Sequence, residues 1–225
     1  AENPPKKGKP SEQQALRYLE AGRYQEALEI YNHIIGPKTK SKKRFLNRGS
    51  ARRKLGDLEG ALADYSRALE IDPKFVKAYQ NRAEVYSQRG EHAKAMADID
   101  RAIKLDGKKP VLLRTRAVTR IRMGDYAGAV RDLDAAFEQA PESSWVSSNR
   151  GIARFHLGDY EGAIEDYDRA IQLSPREAGH YLIRGKSHAH LLQTASAIRD
   201  FGKVLELEPE TVAAYFERGK VDRKS

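Results

Sequence analysis

The stretch GDLEGALADYSRALEIDP, Gly56–Pro73, is answered 102 residues later by GDYEGAIEDYDRAIQLSP, Gly158–Pro175, with ten of the eighteen positions identical. A separation of 102 is three steps of 34, and the steps between are occupied. Gly22, Gly56, Gly90, Gly124 and Gly158 fall at that spacing, and Leu192 takes the sixth place. Five residues after each stands an alanine: Ala27, Ala61, Ala95, Ala129, Ala163 and Ala197. Nine after each comes a large apolar residue: Tyr31, Tyr65, Ile99, Leu133, Tyr167 and Phe201. Seven before each is a small one: Ala15, Gly49, Ala83, Ala117, Gly151 and Gly185. The register does not slip over six units.

Such a period reads as two helices of about 14 residues per unit, joined where the glycine supplies a left-handed backbone. The second helix ends near Pro73, Pro141, Pro175 or Pro209, with Gly107 in that slot once. Small residues let two helix backbones approach, and the large apolar residues fill the space beside them. One such pair cannot bury its apolar face alone, so neighbouring pairs must stack.

On these positions the chain resembles the tetratricopeptide repeat family. The resemblance covers six units, roughly residues 8 to 211, and AAYFERGK opens a seventh. Two positions depart from the pattern: Thr39 stands where proline is expected, and Leu192 replaces the turn glycine. The resemblance implies an all-α, right-handed superhelical solenoid of antiparallel helix pairs, its concave face lined by the first helices. Residues 1–10 are then a flexible lead-in, 11–211 a single solenoid of six repeats, and 212–225 a partial seventh repeat or capping helix.

Composition agrees with a soluble helical protein. The 225 residues are 40% hydrophobic and 32% charged, with no run long and apolar enough to span a membrane. The absence of cysteine removes disulfides, thiol catalysis and thiolate metal sites. The opening AENPPKKGKP lacks an initiator Met and fits an exported protein after signal-peptide removal; otherwise the chain is expected to be cytoplasmic. A formal net charge of +9 is concentrated in Lys6, Lys7 and Lys9, in five cations between Lys38 and Arg44, and in Lys108 and Lys109. Runs of this kind suit either solvated loops or acidic partners such as nucleic acid.

A charged pattern runs inside the repeats. Eight residues before the turn position stand Arg48, Arg82, Arg116, Arg150 and Arg184; eight after it stand Asp64, Asp98, Asp132, Asp166 and Asp200. The first unit has Gln14 and Ile30 and so lacks both. The spacing predicts five ion pairs, each bridging the two helices of its own repeat. Arg218 opens the seventh unit with no aspartate to match it.

On the first helices, the residues 13, 10, 6 and 3 before the turn share a stripe separate from the packing stripe. In the second and third units it is mostly polar and includes Lys77. In the fourth and fifth it is apolar: Val111, Val118, Ile121, Trp145, Ile152 and Phe155, interrupted by Arg114 and Ser148, with Arg122 and His156 alongside. The sixth adds Leu182 and Lys186. A groove of this make-up suits a protein segment with apolar anchors and acidic flanks. Some family members hold a C-terminal carboxylate in a Lys/Asn clamp. Asn47 and Lys77 match two of its places here, but Glu12, Leu16 and Asn81 break it.

No enzyme is expected. No Gly-rich phosphate loop or nucleophile–base–acid set occurs, and no cofactor or metal is implied. His156 and His190, which occupy equivalent places facing one another in neighbouring units, lack a carboxylate at ligand spacing. The function expected is a non-enzymatic scaffold or adaptor binding a peptide or protein in its groove. The alternatives are a nucleic-acid-associated repeat protein using the Lys38–Arg44 loop and basic rim, and self-association through Val212, Tyr215 and Phe216 at the C-terminal end.

Overall fold

The computed structural model describes residues 10–223, so all but Pro10 of the predicted lead-in lies outside the described residues. Among those residues there are thirteen α-helices and no strand. The chain divides into two compact units between Gly107 and Lys108. The first unit holds three antiparallel pairs: α1 (Glu12–Glu20) with α2 (Tyr24–Ile34), α3 (Lys42–Lys54) with α4 (Leu58–Ile71), and α5 (Val76–Gln88) with α6 (His92–Asp106). The second holds α7 (Pro110–Arg122) with α8 (Tyr126–Gln139), α9 (Ser144–Leu157) with α10 (Tyr160–Leu173), and α11 (Ala178–His190) with α12 (Thr194–Leu207). There α13 (Val212–Asp222) packs after α12. No described helix is long and apolar enough to cross a membrane.

The recurring Gly-Asp-x-x-Gly phrase explains the sharp reversal inside a pair. Gly22, Gly56, Gly90, Gly124 and Gly158 have φ between 72° and 87°, the region where a Cβ is costly. After three of them the next residue, an aspartate, caps the following helix. The Asp57, Asp125 and Asp159 side chains accept the backbone N–H of Gly60, Gly128 and Gly162 at 2.8, 2.9 and 3.0 Å. Each cap satisfies a donor that the first turn would leave open, a gain of about 1 kcal/mol. Ala27, Ala61, Ala95, Ala129, Ala163 and Ala197 are fully buried, as are the large side chains four residues beyond them.

Leu192 breaks the rule. It sits at φ 58°, and its side chain is 82% exposed. The left-handed conformation costs a residue with a Cβ about 1–2 kcal/mol. Leu192→Gly is therefore expected to raise the unfolding free energy by about 1 kcal/mol in urea denaturation. An unchanged or lower value would show that the leucine side chain holds packing that its exposure hides.

Candidate functional site

The arginine–aspartate pairs are all in contact. Arg48, Arg82, Arg116, Arg150 and Arg184 reach Asp64, Asp98, Asp132, Asp166 and Asp200 at 2.5–2.7 Å, with every aspartate buried. Each arginine presents Nε and Nη2 to the two carboxylate oxygens, the fork geometry that guanidinium favours. The hydrogen bond to Asp200 holds the Arg184 guanidinium above its ordinary range.

Two features go beyond the expected pairs within each repeat. The third nitrogen of the fork, Nη1, reaches back to the second helix of the preceding repeat. Arg48 meets Asn32, Arg82 meets Ser66, Arg150 meets Asp134 and Arg184 meets Asp168, at 2.6–3.4 Å. A second arginine, four residues before the turn, also enters three of the sites. Arg52, Arg120 and Arg154 bond Asp64, Asp132 and Asp166 at 2.9, 2.6 and 3.0 Å, and each also donates to a carbonyl at Gly60, Gly128 or Gly162. The clamp thus ties three helices. Both extra positions recur with the 34-residue period. All five guanidinium groups are committed to a carboxylate.

The predicted groove residues fall in different settings. Lys77, on α5 of the first unit, is exposed and donates to Gln80 Oε1 at 3.0 Å. In that unit the polar stripe is closed by Arg53, which reaches Glu84 at 2.8 Å. In the second unit Val111 is exposed, and the Arg114 guanidinium lies 5.2 Å from the centre of the Trp145 ring. Trp145 and Ile121 pack half-buried against a core of Leu113, Leu133 and Val146. Much of the indole is therefore already committed within the fold. Val118 and Ile152 are half-buried, Arg122 is exposed, and Ser148 bonds back to the Trp145 carbonyl at 3.2 Å. Leu182 joins the packing of α11 on α12.

Farther along α9, about 15 Å from Trp145 at helical rise, Phe155 stands in an aromatic cluster. His156 stacks on Tyr126 at 4.5 Å and His190 on Tyr160 at 4.3 Å, both nearly parallel. The Phe155 ring sets its edge against both imidazoles at 5.6 Å. The histidines thus do not face one another directly: each is taken by a tyrosine, with Phe155 between. Among the described residues no group of histidines and carboxylates could hold a metal ion.

Phe155 opens onto a cavity of about 530 Å³ between α9, α11 and α13. Its apolar wall is Phe155, Ala189, Leu192 and Val221. Its polar edge is Lys186, His190, Thr194, Glu217 and Lys220. Glu217 sits between two ammonium groups, 3.1 Å from Lys220 Nζ and 4.0 Å from Lys186 Nζ, leaving that edge with one cation in excess. Phe216 continues the first-helix stripe beyond Leu182 and is 60% exposed. Sequence reasoning did not place Leu192, Glu217 or Lys220 here: it noted Leu192 only as a departure from the turn glycine, ended the stripe at Lys186, and had no sign that Glu217, off the stripe, would turn to this edge.

The basic run from Lys38 to Arg44 is partly neutralised. Lys42 pairs with Asp72, and Arg44 with Glu12 at 2.8 Å. Lys38, Lys40 and Lys43 remain as its solvent-facing cations, a small footprint for a polyanion.

Three family models match the chain: a TPR repeat over residues 49–90, and tetratricopeptide repeats over residues 83–148 and 145–177. Together they run unbroken across more than half of it. No curated protein matches it in sequence. Among solved structures it is similar to PilW, described as a widely conserved type IV pilus biogenesis factor, at TM-score 0.83 and 16% identity, covering 91% of this chain and 95% of that one. YrrB, described as a TPR protein with an unusual peptide-binding site, matches at TM-score 0.69 and 18% identity over 87% and 97%. A tetratricopeptide repeat protein from Parabacteroides merdae matches at TM-score 0.69 and 23% identity over 92% and 81%. The 34-residue register, the helix pairs it produces and these matches make the chain a member of the tetratricopeptide repeat family.

Proposed function

We propose that this protein is a non-enzymatic scaffold or adaptor that holds a segment of another protein along the first helices of its second unit. The anchor site is the cavity between α9, α11 and α13. An apolar side chain of the partner enters against Phe155, Leu192 and Val221, and acidic residues beside it meet Lys186 and Lys220. The observation that carries this reading is Leu192, an exposed leucine at a strained backbone position on the cavity wall. Strain of that kind persists where something other than stability retains it. The cavity volume lies within the range of specific binding sites. The peptide-binding site described for YrrB, a protein of the same fold, agrees with this use of the scaffold.

The test is selection of displayed peptides on the wild-type chain, followed by binding to Phe155→Ala/Lys186→Glu. Peptides with an apolar anchor and acidic flanks are expected, and the double variant should weaken them about tenfold or more, with helicity unchanged. Leu192→Gly should weaken them too, although it stabilises the fold. Peptides that bind wild type and variants alike would remove the site from this cavity. Retention of RNA or DNA in place of any peptide would transfer the function to the basic loops.

A further inference from the structure

The second helix of the first repeat is shorter than its counterparts. α2 ends at Ile34, 12 residues past its turn glycine, while α4, α6, α8, α10 and α12 run 15 or 16 residues past their turn positions. Gly36-Pro37 stops it, because proline lacks the N–H donor and turns the residue before it away from helical backbone. Thr39, which stands where most other repeats carry proline, fastens the loop that follows. Its Oγ accepts the Gly36 N–H, and its own N–H donates to the Gly36 carbonyl, both at 3.0 Å. Beside this loop a cavity of about 490 Å³ opens between α2, α3 and α4. Ile35, Pro37 and Phe45 give it an apolar wall. Arg48, Arg52 and Arg67 edge it, against Asp64 as the one carboxylate among the described residues of the lining. Arg52 and Arg67 also hold Asp57 at 3.5 Å and Glu70 at 2.5 Å, outside that lining.

The arginine clamp at this place differs from later ones by a charge. Arg150 and Arg184 give Nη1 to a carboxylate of the preceding repeat, Asp134 at 3.0 Å and Asp168 at 2.6 Å. For Arg48 the equivalent residue is Asn32, an exposed amide whose Oδ1 lies 3.4 Å from Nη1, beyond the usual hydrogen-bond range. Arg82 also meets a neutral residue, Ser66, but the cavity beside it carries Glu59 and Glu91 along with Arg89 and Lys94. At Arg48 a neutral partner, an excess of guanidinium and an apolar wall come together.

We infer that this cavity binds an acidic segment of a partner protein, its carboxylate on Arg48 Nη1 and Arg67 and an adjoining apolar side chain against Phe45, Ile35 and Pro37. A carboxylate is the group that the chain itself sets on this nitrogen in two later repeats. Three residues beyond Asp134 stands Phe137, whose ring centre lies 4.3 Å from the Arg150 guanidinium, so the fold already joins an acid and a ring on this arginine. Nucleic acid suits the place less well, because a polyanion is held through a row of phosphate contacts and gains nothing from the apolar wall. The cavity shares no residue with that of the proposed function and does not depend on it.

The probe is a labelled, end-blocked peptide copying residues 132–138, Asp-Leu-Asp-Ala-Ala-Phe-Glu, titrated with the full chain by fluorescence anisotropy. Every protein in the series carries Phe155→Ala/Lys186→Glu, so the other cavity takes no part. Saturable binding is expected, and Arg67→Glu should weaken it about tenfold. Asn32→Asp should weaken it as much, because the new carboxylate takes Arg48 in the peptide's place. Its urea midpoint should be unchanged or higher, which separates a filled site from a damaged fold. A peptide with its three acids replaced by their amides should not bind. Absence of saturable binding, or binding indifferent to Asn32→Asp, would overturn the proposal. So would a short oligothymidylate that binds with the same sensitivity to Asn32→Asp and displaces the peptide, since the anion would then be phosphate.

Discussion

Replacing Asp166 by alanine is expected to lower the unfolding free energy by about 3 kcal/mol in urea denaturation, the scale for stranding buried charge. Asp166 is 2% exposed and accepts from Arg150 Nε and Nη2 and from Arg154 Nη1 at 2.5–3.0 Å. Removing the carboxylate leaves two guanidinium groups, with side chains 12% and 23% exposed, facing a methyl group. Arg150 keeps Asp134, a half-exposed carboxylate, and this holds the loss at the lower end of the range. The clamp itself is expected to add little net stability, because removing two charges from water offsets their attraction. Burial pushes the Asp166 carboxyl up, while the contacts to Asp166 and Asp134 raise the Arg150 guanidinium against its own burial, so attraction and desolvation oppose one another across the pair. The triple variant Arg150→Met/Arg154→Met/Asp166→Leu should therefore cost less than Asp166→Ala alone. If the triple variant proves the worse of the two, the clamp is a net source of stability and this account of it is wrong.

Much of the repeat architecture was legible because it depends on residues whose roles are local or periodic. A glycine that must adopt positive φ, an aspartate that caps three residues on, and an alanine against a neighbouring helix each constrain one position, and the period repeats the constraint. The site was harder to read. Trp145 and Phe155 belong to one stripe, but helical periodicity places a side chain on a face without saying how far its neighbours cover it. Trp145 packs on the core and under Arg114, while Phe155 edges an open cavity. The cavity also takes Glu217 and Lys220 from α13, whose docking against α11 depends on three-dimensional packing. Arg52, Arg120 and Arg154 were missed for a different reason. They recur at a fixed place in the period, but Tyr18, Tyr86 and His188 share that place, and a position filled by arginine, tyrosine or histidine does not announce an ion pair.

The second large effect lies at the close approach of two helices. Gly151→Ala is expected to cost about 2 kcal/mol, although alanine is the better helix former by about 0.5–1 kcal/mol. A Cβ at residue 151 would stand 2.8 Å from Tyr167 Cε2 and 3.3 Å from Asp166 Cβ, and the Tyr167 ring is 1% exposed with no room to withdraw. The ring and the carboxylate adjoin on α10, so pushing the helices apart also stretches the Arg150 clamp. Elsewhere the chain already contains the remedy: Ala83 faces a helix with Ile99, and Ala117 one with Leu133, each beside an intact arginine–aspartate pair. The exception, Ala15 with Tyr31, occurs in the pair that has no clamp to hold its spacing. Tyr167→Leu alone should also destabilise, by about 1–2 kcal/mol, through the space it leaves. The double variant Gly151→Ala/Tyr167→Leu should lose markedly less than the sum of the two, because the new methyl occupies that space. Urea unfolding of all four proteins checks the coupling. Strict additivity would mean that helix spacing is set by the clamp alone and that the small residue beside it is incidental.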